Sequence, residues 1–248
     1  MQISKKHPRY LSLILREKLV RGVKTGITSQ AGLIAHGRGE AFDYLLGEKT
    51  NGFAKQAITA SAALLILSKK PILSINGNSA ALSLPEFIRL ARLLDCQIEV
   101  NLFHFSQKRV SKIETLLKKM DPKRVLIAKR NEKIVIAGIN SKRAVVLGNG
   151  IGESDCVLVP LEDGDRCEAL ISLGKKVITI DLNPMSRTAR TATITIVDNI
   201  VRSLNLLLLE IKRLKNKDEK FLESIINKYD NKKVIAAAIS KISYHRFK

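Results

Sequence analysis

The sequence predicts an α/β fold: a Rossmann-like, three-layer arrangement around a mostly parallel sheet, with an N-terminal helical segment and a C-terminal helical appendage. Three observations lead there. From residue 71 onward, short apolar runs rich in Val and Ile alternate with segments of helical period, as parallel strands joined by crossover helices do. Residues 7–68 and 221–242 carry helical spacing only. The chain has 248 residues, 45% of them hydrophobic, which is enough for a large core. The expected organisation is a single α/β domain over 1–248, with an N-terminal helical part at 1–70, a Rossmann-like core at 71–211 and a C-terminal extension at 212–248.

His7-Pro8 opens the first helix, because proline suits a first helical turn. Tyr10, Leu13, Ile14, Leu15, Leu19 and Val20 form its apolar stripe, and Gly26 ends it. In 31–48, glycines alternate with His36, Arg38 and Glu40. A helix is expected to begin near Gly39, where free N–H groups would favour an anion. Tight packing of one helix on another explains the small residues equally well. Residues 53–68 read as a helix that is apolar on most sides and therefore buried. Strands are expected at 72–75, 98–103, 125–127, 157–159, 176–180 and 193–197, with helices at 85–94, 106–120 and 200–214. The stretch 121–154 is the least regular and is expected to carry a β-excursion. Beyond a charged link after Lys212, 221–229 and 234–242 read as short helices.

In such sheets ligands bind outside the carboxyl ends of the strands, at a switch in strand order. That order is not legible here, but the strand-end loops are: 76–78, 104–107, 161–166 and 181–192. The last, taken through Thr193, holds an acid, a proline turn, Arg187 and Arg190 three apart, and four hydroxyls. A loop so polar after a core strand suits a phosphorylated, ribose-bearing ligand.

The net charge of +20 implies anionic partners, either nucleic acid, an acidic membrane or phosphorylated small molecules, unless it is simply a basic solvated surface. Aromatic residues make up 4%, Trp is absent, and no basic run with interleaved aromatics occurs, so no nucleic-acid partner is expected. A basic nucleic-acid-binding protein stays the rival reading on charge alone. No apolar run approaches the ~18–20 residues of a membrane span, and the basic N-terminus lacks a signal-peptide core. A cytoplasmic protein without membrane contact is expected. Cys96, Cys156 and Cys167 show no C-x-x-C spacing, so they are expected as reduced core residues.

Gly148-Asn149-Gly150-Ile151-Gly152 departs from the G-x-G-x-x-G fingerprint and reads better as a turn. Glu162, Asp163 and Asp165 suit Mg²⁺, a substrate ammonium, or the start of a helix. No pair among His7, His36, His104 and His245 has ligand spacing, and no side-chain metal site is expected. With no nucleophile elbow or activated cysteine, chemistry would come from positioning anions and stabilising developing charge.

His7-Pro8-Arg9-Tyr10, the block 31–48, Ser74-Ile75-Asn76-Gly77-Asn78, 98–103, 160–166 and 181–199 together resemble archaeal phosphopantothenate synthetase, the 4-phosphopantoate–β-alanine ligase family. The likeness runs with gaps from about His7 to Asn205, and 120–155 fits poorly. It implies an AMP-forming ligase of coenzyme A synthesis that uses ATP and Mg²⁺, passes through an acyl-adenylate, and works as a homodimer. ATP contacts implied by the resemblance fall on Arg16, Arg38, Asp181, Leu182, Asn183, Ser186, Arg187, Thr188, Asn199 and Ile200. The chemistry agrees for the arginines, which suit phosphate, and for Asp181, which suits ribose hydroxyls. For phosphopantoate the candidates are His36, Asn76, Asn78 and Arg190, with His36, Arg38 and Arg190 assigned to the chemical step. On this reading Glu162, Asp163 and Asp165 have two possible partners, Mg²⁺ or the ammonium of β-alanine.

Overall fold

Three helices, α1 (Tyr10–Lys24), α2 (Gln30–Leu45) and α3 (Gly52–Leu67), precede the first strand in the computed structural model, which describes residues 4–127, 133–136 and 144–244. Strands and helices then alternate: β1 (Pro71–Ile75), α4 (Gly77–Leu94), β2 (Gln97–Val100) and α5 (Gln107–Met120). An antiparallel hairpin, β3 (Lys133–Val135) and β4 (Val145–Leu147), interrupts the series. It is followed by β5 (Cys156–Leu158), α6 (Gly164–Ser172), β6 (Lys176–Ile180), α7 (Arg187–Thr191), β7 (Ile194–Ile196) and α8 (Ile200–Leu214). The chain continues through α9 (Glu219–Lys228) and α10 (Asn231–Ser243).

Five strands form one parallel sheet in the order β2-β1-β5-β6-β7. Counting only these strands in chain order, that is 2-1-3-4-5, the flavodoxin-type arrangement of a doubly wound sheet. The chain leaves β1 toward one edge and returns to build the other, so a crevice opens between the carboxyl ends of β1 and β5.

Side chains alternate across each strand and find different partners. Leu73, Ile75, Ile98, Leu158, Ile178, Ile180, Ile194 and Ile196 join the apolar faces of α3, α4, α5 and α8 in the larger core. Ile72, Val157, Val159 and Val177 face Cys167 and Leu170 of α6 and Val146 of the hairpin. Both faces are dry, which is why the strands read as continuous apolar runs. All three cysteines are buried and free, and burial pushes each thiol up to about 12, as befits core residues. Among the described residues no helix is long and apolar enough to cross a membrane.

Several expectations need correction. The helix placed near Gly39 begins nine residues earlier, where the Ser29 hydroxyl caps α2 by accepting the Gly32 N–H. Gly32, Gly37 and Gly39 lie inside it, so no anion-favouring helix start exists at Gly39. Gly32 is there for packing: a Cβ would sit 2.3 Å from Asn78 Oδ1 and 2.5 Å from Thr28 Oγ1. The helical cost of glycine, about 1 kcal/mol, is offset by that close approach. Likewise α4 begins at Gly77 rather than Pro85, with a capping box on Asn76. Pro85 marks an internal kink, at non-helical Ser83, because proline removes a donor and crowds the preceding turn. The strand expected at 98–103 stops at Val100, and that at 125–127 is a single bridge from Val125 to Ile98. The expected loop at 181–192 contains the short helix α7. The glycine turn at 148–152 and the hairpin bear out the turn and the β-excursion for the described part of 121–154; the rest of that excursion and His245 lie outside the described residues.

Candidate active site

The strand-end loops converge on one edge of the sheet. After β6 the chain bonds to itself. Asp181 accepts the Asn183 N–H at 2.9 Å and the Ser186 hydroxyl, and Asn183 Oδ1 accepts the Met185 N–H at 2.9 Å. Ser186 also caps α7 through the Ala189 N–H. Burial pushes the Asp181 carboxyl above its ordinary value, against these hydrogen bonds and the positive charge of Arg38. Thr188 donates to the Glu162 carbonyl at 3.0 Å, tying this loop to the one after β5. From behind, Asn231 at the start of α10 donates to the carbonyls of Ala189 and Ala192.

After β7, Asn199 caps α8 and donates to Asp43 at 3.2 Å. Asp43 and the adjacent Asp198 share the Arg202 guanidinium, at 2.5 and 2.6 Å, and Thr50 donates to Asp198 at 2.6 Å. Both carboxylates are buried. In front of this network lies a cavity of about 300 Å³, walled by Tyr10, His36, Glu40, Leu182, Asn199 and Arg202 among others. Glu40 holds Arg9 at 2.8 Å and Arg16 at 2.7 Å. Burial pushes the Glu40 carboxyl up, but Arg16, His36 and Arg9 outweigh it and hold it below its usual range. Burial, with help from Arg16, pushes the His36 imidazole down, against Glu40 and Asp43. Its Nε2 is buried and makes no hydrogen bond among the described residues. Such a buried, unpartnered nitrogen on a cavity wall is open to a hydrogen bond from within the cavity.

At the crevice, Asn76 accepts the Ser79 N–H and donates to the carbonyls of Pro160 and Leu161, at 3.1 and 3.2 Å. Asn78 is buried, donates to the Gly32 carbonyl at 2.8 Å and accepts from Thr28. Both amides thus shape the crevice by joining elements around it. The acids of 162–165 sit where α6 begins, as its dipole favours. Glu162 lies 3.6 Å from Arg166, and Asp165 pairs with Arg187, which also approaches Glu168 at 3.4 Å. Among the described residues no three His, Cys, Asp or Glu side chains are grouped to hold a metal ion. Carboxylates already facing guanidinium groups do not fit a dedicated Mg²⁺ cage.

The structure therefore gathers His36, Leu182 and Asn199 at one cavity, with Arg16 reaching it through Glu40 and Ile200 buried at the start of α8. Arg38 is exposed on α2, one residue before Gly39, which stacks against Leu182. Arg187, Thr188 and Asp165 form a second group between the loops after β5 and β6, with Asp163 at the N-cap position of α6 beside it. Arg190 is exposed on α7. Sequence reasoning missed Arg9, Asp43, Asp198 and Arg202 as members of the site. Asp198 and Arg202 carried a usable signal, an acid four residues before a base at the start of a helix.

The chain matches the phosphopantothenate/pantothenate synthetase family over residues 53–245. It is 47% identical over 242 residues to a 4-phosphopantoate–β-alanine ligase of Thermococcus kodakarensis, covering 98% of this chain and 92% of that protein. Proteins of the same name from Thermococcus onnurineus (50% over 235 residues, 95% and 90% covered) and Methanosarcina mazei (47% over 239 residues, 96% and 93% covered) are similar throughout. By the length of this match and its overall identity, the chain belongs to the phosphopantothenate/pantothenate synthetase family.

Proposed function

We propose that this chain is an ATP-dependent ligase that joins 4-phosphopantoate to β-alanine, giving 4′-phosphopantothenate, AMP and pyrophosphate. One observation carries the reading: relatives bearing that ligase name match almost the whole chain, at 47–50% identity over 95–98% of its length. The geometry supports it. ATP takes the cavity and its rim, with Asn199, Leu182 and Ile200 toward the base and Asp181 and Asn183 toward the ribose. Arg16, Arg38, Arg187 and the Ser186-Thr188 turn face the phosphates. Phosphopantoate lies toward the β1/β5 crevice, which Asn76 and Asn78 shape, with His36 and Arg190 beside it. Mg²⁺ arriving with ATP would supply charge neutralisation at the phosphates, with no three His, Cys, Asp or Glu side chains among the described residues grouped to hold it.

In the first step a carboxylate oxygen of phosphopantoate attacks the α-phosphorus of ATP and pyrophosphate leaves. In the second, the β-alanine amine attacks the acyl carbon, loses a proton, and AMP leaves with the bond electrons. The side chains here do not form covalent intermediates; the arginines stabilise charge as it shifts between oxygens. Neutral His36 is the available proton acceptor, and Arg38 and Arg190 supply charge at the reacting centre. We place the working unit as a homodimer. The test is pyrophosphate exchange into ATP, expected to require 4-phosphopantoate and not β-alanine. Release of ADP and phosphate would reject the adenylate route.

A further inference from the structure

A second cavity, of about 170 Å³, opens at the other end of the same edge, between the end of β2, α5 and the β3–β4 hairpin. Its ionisable wall consists of Glu99, Glu114, Lys133 and Arg166, with Asn101 and Phe105 beside them. The site is built rather than incidental. Glu99 is buried and accepts the backbone N–H groups of Leu147 and Ile151 at 3.0 and 2.8 Å, which fixes the hairpin and glycine turn against the sheet. A Cβ on Gly150 would lie 2.2 Å from Glu99 Oε2, so this anchor needs glycine there. Asn101 donates to Ser74 of β1 at 3.1 Å. Arg166 lies 3.6 Å from Glu162, in the loop after β5, so one guanidinium borders both this cavity and the crevice. The Lys133 ammonium stands 5.9 Å from the centre of the Phe105 ring.

The charges decide what fits. Two carboxyl groups and two basic groups line a small space, and burial pushes the Glu99 carboxyl up, against the N–H bonds from Ile151 and Leu147, Asn101 and Arg166. A phosphate dianion would meet Glu99 and Glu114 at close quarters, and an apolar ligand would leave four ionisable groups desolvated without compensation. A small molecule with both charges satisfies both walls. We propose that this cavity binds a small zwitterionic amino acid, its carboxylate toward Lys133 and Arg166 and its ammonium toward Glu114. Given the ligase reading above, on which this rests, that amino acid is β-alanine, docked here as the zwitterion before its amine is released to reach the acyl carbon at the crevice. Burial pushes the Glu114 carboxyl up, against Lys118 and Lys133, and an incoming ammonium relieves that penalty.

The test uses the full chain and the two half-reactions. Glu114→Gln and Lys133→Met are each expected to raise the KM for β-alanine about 10-fold or more, the scale of one lost charged hydrogen bond. Phosphopantoate-dependent pyrophosphate exchange, which precedes the amine, is expected to persist with an ATP KM within about twofold of wild type, well under that scale. Lys133→Arg, which keeps the charge, is expected to retain a near-normal KM for β-alanine. Intact exchange with an unchanged β-alanine KM in both variants overturns the cavity assignment alone. Loss of exchange in both variants also overturns it, because the cavity then serves the earlier step. A wild-type protein that exchanges no pyrophosphate overturns the ligase reading itself.

Discussion

Two arginines on the carboxyl edge each hold two carboxylates, yet they stand in opposite environments. Arg202 keeps 23% of its side chain exposed, and its partners Asp43 and Asp198 keep 7% and 1%. Arg187 and Asp165 are each 52% exposed, and Glu168 45%. The Arg202 network is closed further by Thr50 and Asn199. One guanidinium there faces two carboxylates, with neutral donors from Thr50 and Asn199 beside it, and its removal would strand two buried anions. The Arg187 pair is bathed in water, where an ion pair contributes about 0–1 kcal/mol and a stronger anion displaces it readily. The same pairing thus acts as scaffold in one place and leaves an exposed cation in the other, with burial making the difference.

Arg202→Ala should therefore have the largest effect. Stranding Asp43 and Asp198 is expected to cost about 3–5 kcal/mol, read as a lowered midpoint in urea or a Tm lower by roughly 6–20 °C for a chain of this size. If Arg202→Ala unfolds no more easily than Arg187→Ala, the contrast between the two clusters collapses. Arg187→Ala is expected to leave stability within about 0.5 kcal/mol of wild type while lowering kcat/KM for ATP roughly 10–100-fold. The same pattern is expected of Arg38→Ala. Wild-type kinetics in a folded variant would remove either residue from the nucleotide site.

Between these extremes stands the cluster of Arg16, Glu40 and His36, partly buried and partly open. Burial and Arg16 lower the His36 pKa from 6.5. The imidazole is therefore neutral in the folded protein at pH 7. As pH falls below 6.5, the unfolded chain takes up a proton that the folded one resists, so this group contributes stability above pH 6.5 that is lost on acidification toward its folded pKa. An NMR titration should place the His36 midpoint below 6.5. Arg16→Gln should move it up and Glu40→Gln further down; movement in the opposite sense would show that these charges do not govern the imidazole. The smallest effect is expected from Arg89→Ala. Its pair with Glu86 is a surface i,i+3 contact, expected to contribute at most about 0.5 kcal/mol to the denaturation midpoint.

How legible this was in the sequence depends on the range of the interaction. The strands at 72–75, 157–159 and 176–180 were readable because apolar runs of that length report local burial. The helix starts at Gln30 and Gly77 were not. Gly37, Gly39 and Pro85 are helix-weakening residues, and only packing around Gly32 and the capping box on Asn76 override them. Asp181, Ser186 and Thr188 stood out as a polar turn because their bonds lie within one loop or to the next. Their bonding within the strand-end loops could be anticipated. Asp43 could not, because its partner Arg202 lies 159 residues away.

The sequence settled the α/β class, the side of the sheet that carries the loops, and the polar loop after β6. These follow from periodicities of two and 3.6 residues and from turn chemistry, all of which act over a few positions. Tertiary structure alone decided that β1 lies between β2 and β5, which puts the crevice at Asn76 and Pro160. It also decided which arginine is enclosed and which faces water, and that Glu99 pins a hairpin beside a second cavity. Strand order and the burial of a charge depend on what packs from far along the chain, and no local pattern of residues carries that information.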